Sequence, residues 1–143
     1  MKTSLPVESE IQRKWYLVNA AGKPLGRLSV KIANLLRGRG KPISTPHIDT
    51  GDFVVVTNAR EVKLTGSKPV KKTYVRYTGH RSGKKSTTFA MMNERHPERV
   101  VEKAVKGMLP HNHLSRRIVK RLKVYAGAEH PHVAQAPSTI ELA

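Results

Sequence analysis

Residues 53–57 read Phe-Val-Val-Val-Thr, an apolar run in which no position alternates with a polar one. A strand with one wet face shows a polar residue at every second position, whereas a strand covered on both faces does not. The run therefore predicts a fully buried strand of a parallel sheet. A parallel strand needs a crossover to reach its neighbour, usually a helix. The chain supplies one upstream. Trp15-Tyr16-Leu17-Val18 is a short apolar run, Gly22-Lys23-Pro24 is a turn, and Leu28, Ile32, Leu35 and Leu36 then recur on one helical face until Gly38 and Gly40 end it.

The rest of the chain continues the alternation. Pro42 to Asp52 has turn residues and no period, so it reads as a loop. Val62-Lys63-Leu64 is expected to form a short strand stopped by Gly66, and Tyr74-Val75-Arg76-Tyr77 another. Gly79 to Ser86 is glycine-rich and basic and reads as a loop, with a short helix from Phe89 to Asn93 after it. Pro97 and Glu98 suit the first turn of a helix, and Val100, Val101, Ala104, Val105 and Met108 form its apolar face. Arg99, Glu102, Lys103 and Lys106 fall on its solvent face. A third helix is expected over Leu114 to Arg121, with Leu114, Ile118, Val119 and Leu122 inward and Arg116, Arg117, Lys120 and Arg121 outward. Leu122 to Tyr125 reads as a last strand. Strands and helices in this order predict a single α/β domain with a small, mostly parallel sheet. Its expected limits are 15–127, with an N-terminal extension over 1–14 and an extended tail over 128–143.

Composition bears on function. The chain has 143 residues, no cysteine and a formal net charge of +17. Without cysteine there is no disulfide scaffold and no thiol chemistry. No apolar run approaches the roughly 20 residues a membrane-spanning helix needs. Met1 to Lys14 lacks the apolar core of a signal peptide, so a cytoplasmic location is expected. A charge of this size calls for a polyanionic partner, most commonly nucleic acid, with an anionic membrane surface second. The charge is uneven. Residues 60–124 carry 18 basic and four acidic side chains, residues 1–59 nine and four, and residues 125–143 only two acids.

Motifs for catalysis are weak. Gly79 to Ser86 approaches a phosphate-binding P-loop, but only three residues separate its glycines, and Lys85 stands where Ser or Thr should follow Lys84. Two His-x-His pairs, His111/His113 and His130/His132, could share a metal only if both pairs met. Asp49 and Asp52 flank Thr50-Gly51 and read more simply as turn formers than as a catalytic pair. The lone His47 and His96 carry less signal still. No cofactor or metal is expected, and neither is an enzyme.

Three basic groups stand out instead. Arg116, Arg117, Lys120 and Arg121 are expected to form a helical phosphate-binding face. Lys71, Lys72, Arg76, Arg81, Lys84 and Lys85 cluster upstream, with Tyr77 and His80 placed to touch sugar or base. Arg37, Arg39 and Lys41 make a basic turn around Gly38 and Gly40. Arginine is the better bidentate phosphate ligand, and a low aromatic content of 5% favours recognition of backbone and shape over base stacking. These features do not separate RNA from DNA.

Longer stretches do. Pro24-Leu25-Gly26-Arg27-Leu28, Thr45-Pro46-His47, Thr50-Gly51-Asp52-Phe53, His96-Pro97-Glu98-Arg99-Val100, Val105-Lys106-Gly107-Met108-Leu109-Pro110, Leu122 to Gly127 and His130-Pro131-His132 occur in that order. The chain resembles the bacterial large-subunit ribosomal protein L13 family over about Trp15 to Pro137. The resemblance implies a three-layer α/β/α domain that binds large-subunit ribosomal RNA, joins the subunit early in assembly and sits among neighbouring large-subunit ribosomal proteins. It implies no small-molecule substrate. One turn departs from the family pattern. His111-Asn112-His113 stands where that family usually carries a lysine followed by glycine, so titratable rings replace a permanent cation. An architectural DNA-binding protein and a basic RNA-processing enzyme are the rival readings.

Overall fold

The computed structural model describes residues 6–141. Its main sheet has four parallel strands: β1 (Trp15–Asn19), β2 (Phe53–Thr57), β5 (Leu122–Val124) and β6 (Ser138–Thr139), in the spatial order β5-β2-β1-β6. β2 is central, and Val54, Val55 and Val56 are fully buried, as the unalternating run requires. The helices are α1 (Leu25–Arg37), the four-residue α2 (Lys68–Lys71), α3 (Phe89–Arg95), α4 (Pro97–Met108) and α5 (His113–Val119). A separate antiparallel ribbon joins β3 (Thr73–Tyr77) to β4 (Lys84–Thr88). The α/β class and the parallel sheet thus follow the sequence expectation.

Chain direction decides which face each connection covers. The steps from β1 to β2 and from β2 to β5 go the same way, so right-handed crossovers put α1 and α3–α5 on one face. There Val18, Val54 and Val56 meet Leu28, Ile32 and Leu36 of α1 and Val100, Val101 and Val105 of α4. The step from β5 to β6 reverses direction and carries residues 125–137 over the other face. No helix forms in that stretch, so the second covering layer is extended chain rather than the helical layer of an α/β/α arrangement. Its core is aromatic. Trp15 and Phe53, register partners on β1 and β2, stack with ring centroids 4.3 Å apart. His132 packs on Trp15 at 5.2 Å and hydrogen-bonds the Tyr125 hydroxyl at 2.8 Å. The tail is tied to the sheet at Ser138–Thr139, and the Ile140 N–H donates to the Leu17 carbonyl at 2.9 Å.

Other expectations shift locally. Val62 to Leu64 makes only an isolated bridge between Lys63 and Pro24. Lys84 to Ser86, read as loop, belongs to β4. Met108, expected on the apolar face of α4, is 38% exposed, while Val105 before it and Leu109 after it are buried. Pro97 and Glu98 do open α4, and Thr88 caps α3 by accepting from the Met91 N–H.

Two glycines close the joint between α1 and β2. Gly38 ends α1 at φ +68°, a left-handed conformation that disfavours side chains. Gly51 lies so close to the Leu36 carbonyl that a Cβ would sit 1.7 Å from its oxygen. Gly51→Ala must displace backbone at this joint. It should cost about 2 kcal/mol or more, lowering the thermal midpoint by roughly 5–10 °C. Gly26→Ala, where nothing lies within 4 Å, should stay within about 1 kcal/mol on the stabilising side. Circular-dichroism melting of the two variants checks both.

Candidate nucleic-acid interface

The basic residues expected to face a polyanion divide into those that do and those held inward. Arg121 is the main correction. The sequence reading put it on the outer face of a helix, but α5 ends at Val119 and Arg121 is only 7% exposed. Its guanidinium is ion-paired with the Asp49 carboxylate, donates to the Gly51 carbonyl, and lies 5.9 Å from the centre of the Phe53 ring. Burial, with a smaller contribution from the like charge of Arg13, lowers the Arg121 pKa to about 10. The side chain stays cationic at neutral pH, and the cost of burying it is offset by Asp49 and the carbonyl.

Lys41 is also engaged internally. Its ammonium donates to the Asp52 carboxylate at 2.6 Å and to the Gln12 carbonyl at 3.0 Å. Asp52 accepts in addition from the Lys14 N–H at 2.8 Å. Asp49 and Asp52 are thus neither a catalytic pair nor mere turn formers. Each neutralises a cation at the foot of the sheet.

The basic turn after α1 and the start of α5 meet at one groove of about 670 Å³. Arg37, Arg39 and Lys41 line one side, and Asn112, Leu114 and Ser115 of the α5 end line the other. Asn112 has a defined local role. Its side-chain oxygen accepts from the Ser115 N–H at 2.8 Å, which caps α5 and starts the helix at His113. His111 and His113 are exposed on either side of it, and Arg116, Arg117 and Lys120 project to solvent beyond. His111, Arg116 and Lys106 border a second cleft of about 360 Å³.

The third group lies on the β3–β4 ribbon and at the end of α2 just before it. Lys71, Arg76, Tyr77, His80, Arg81, Lys84 and Lys85 are exposed, Tyr77 to 72%, and Lys72 is half-buried. The glycine-rich stretch is the hairpin turn, closed by the Thr78 N–H to the Gly83 carbonyl at 3.1 Å, and not a phosphate-cradling loop before a helix. Register sets Arg76 directly opposite Lys85. Like charges so placed destabilise an isolated ribbon. Tyr74 anchors the ribbon, its hydroxyl buried without a partner and its pKa raised by that burial. Lys103 of α4 also reaches this ring, a meeting for which the sequence holds no local signal.

His130 and His132 are occupied with each other and with Tyr125, and among the described residues no cluster of three or more potential ligands gathers for a metal. Nor is any described helix long and apolar enough to cross a membrane.

Removing Arg121 strands the Asp49 carboxylate, so Arg121→Gln should cost about 3 kcal/mol. Arg116→Gln and Arg117→Gln, at exposed positions, should stay within about 0.5 kcal/mol of the wild type. Denaturant unfolding of the three variants measures the contrast.

Comparison with known proteins gives the same family from end to end. The family model for ribosomal protein L13 matches residues 13–131. The large ribosomal subunit protein uL13 of Symbiobacterium thermophilum is 52% identical over 141 residues, covering 99% of each chain. That of Moorella thermoacetica is 53% identical over 142 residues, again 99% of each. The uL13 of Synechococcus sp. (strain WH7803) is 54% identical over 141 residues, 99% of this chain and 94% of its own. With a match of this length and identity, the chain belongs to the ribosomal protein L13 family.

Proposed function

We propose that the chain is a structural constituent of the large ribosomal subunit, held there by large-subunit ribosomal RNA and taken up early in assembly. Family membership makes it a structural ribosomal protein rather than an enzyme. The observation that carries the RNA reading is the division of its charge. Asp49 and Asp52 hold Arg121 and Lys41 inward, while Arg37 and Arg39 line one groove, Arg116, Arg117 and Lys120 stand exposed along and just past α5, and most of the ribbon cations stand exposed. A surface of this kind, on a chain of net +17, repels itself until phosphates neutralise it. The interface comprises those five residues together with Lys71, Lys72, Arg76, Arg81, Lys84 and Lys85, with Tyr77 and His80 near sugar or base. Its place is cytoplasmic and ribosome-bound, beside other large-subunit proteins, with no small molecule or membrane involved.

Sedimentation of a lysate through a sucrose gradient tests the reading. The chain should comigrate with the large subunit and stay there through a moderate-salt wash. Recovery at the top of the gradient, or with the nucleoid, would refute it. A His111→Ala/His113→Ala variant should bind large-subunit ribosomal RNA more weakly than the wild type, and unchanged affinity would rule out a contribution from the exposed His111-Asn112-His113 turn.

A further inference from the structure

The fold gathers cations that the sequence keeps apart. Lys72, at the end of α2, and Lys103, on α4, both lie over the Tyr74 ring, with their ammonium nitrogens 5.5 and 5.1 Å from its centroid. An aromatic face attracts each cation, but sharing one ring brings two like charges close together. Among the described residues neither lysine is ion-paired. Nor does α4 relieve them. The helical neighbours of Lys103 at i−4 and i+3 are Arg99 and Lys106, both exposed, while Glu102 projects about 100° round the helix.

This cluster continues in both directions. Along the ribbon, Tyr74 shares a face with Arg76, and Arg76 is opposite Lys85. Along α4, Lys106 borders the cleft that contains His111 and Arg116. That cleft shares Pro110, Asn112 and Ser115 with the groove of Arg37 and Arg39. The two basic surfaces, separate in sequence, are thus connected on the fold by Lys103 and Lys106 on the solvent face of α4.

We propose that Lys103 and Lys106 contact the RNA sugar-phosphate backbone and join the ribbon to the α5 groove as one continuous phosphate-binding track, with Tyr74 as a positioning residue that holds Lys72 and Lys103 side by side. The proposal rests on the RNA-binding reading above and adds residues to it. Tyr74 acts through its ring: the hydroxyl is buried and bonds nothing, so the aromatic face alone orients the ammonium groups. Pre-positioned lysines lose less side-chain freedom when a phosphate arrives.

Filter binding of the full chain to deproteinised large-subunit ribosomal RNA, across a series of KCl concentrations, tests this. Lys103→Met and Lys106→Met should each reduce the slope of log K against log salt by about one, and the double variant by about two, with unchanged thermal midpoints. Tyr74→Phe should bind as wild type. Tyr74→Leu should weaken binding several-fold with little change in slope, since the number of phosphates neutralised is the same. A Lys103→Met/Lys106→Met variant with wild-type affinity and slope overturns the track. Tyr74→Leu binding as wild type overturns the positioning role. Arg81→Gln/Lys84→Gln is the reference variant. If it loses affinity while the α4 variants do not, the RNA reading stands and only the track fails. If it too is silent, or the wild type shows no salt dependence, the RNA reading fails as well.

Discussion

Arg121 and Asp49 form an ion pair between the two segments that lead into the neighbouring strands β5 and β2. It joins the residue just before β5 to the loop just before β2, two points 72 residues apart in the chain. The same guanidinium holds the Gly51 carbonyl, and Gly51 is pressed against the end of α1. One side chain thereby fixes the α1 terminus, the entry to the central strand and the exit from α5. A cation buried to this degree is tolerable only with its carboxylate in place, so the loop cannot drift away without exposing an unpaired charge to an apolar surround. The walls of the Arg37–Arg39 groove follow, because they are the segments this contact locks.

The charge has two roles, and geometry separates them. Lys41 and Arg121 face acids at the foot of the sheet and hold the chain together. The cations of the ribbon, α4 and α5 face outward, where their mutual repulsion works against the free protein and in favour of a polyanion-bound one. The ribbon shows this most directly. A two-stranded hairpin is marginal by itself, and this one sets Arg76 against Lys85. What holds it is its base, where Tyr74 and Phe89 join the core.

The sheet explains what was legible. Phe53 to Thr57 showed its burial on both faces because every position is apolar or small, and the periods of α1 and α4 marked their buried stripes. The alternation in Lys84-Lys85-Ser86-Thr87-Thr88 is between polar residues, so β4 exists only through its pairing with β3. Ser138-Thr139 is likewise too short and polar to announce a strand, and it forms because residues 125–137 cross the Trp15 face and deliver it to β1. In the candidate interface, exposure of Arg116, Arg117 and Lys120 followed from helical spacing. The inward turn of Arg121 did not, since it lies two residues past the helix end and its partners come from a distant loop.

Local pattern, total charge and residue order were enough for the α/β class, the central strand, the two long amphipathic helices, the strongly basic character of the chain and, through its ordered motifs, the family. None of these needs coordinates. Packing alone separates the cations paired with acids inside the fold from those left exposed, and brings Lys72 and Lys103 to one ring. An arginine on a sequence is the same whether it meets a carboxylate or a phosphate, and burial and distance, which arise only when remote segments pack, make the difference.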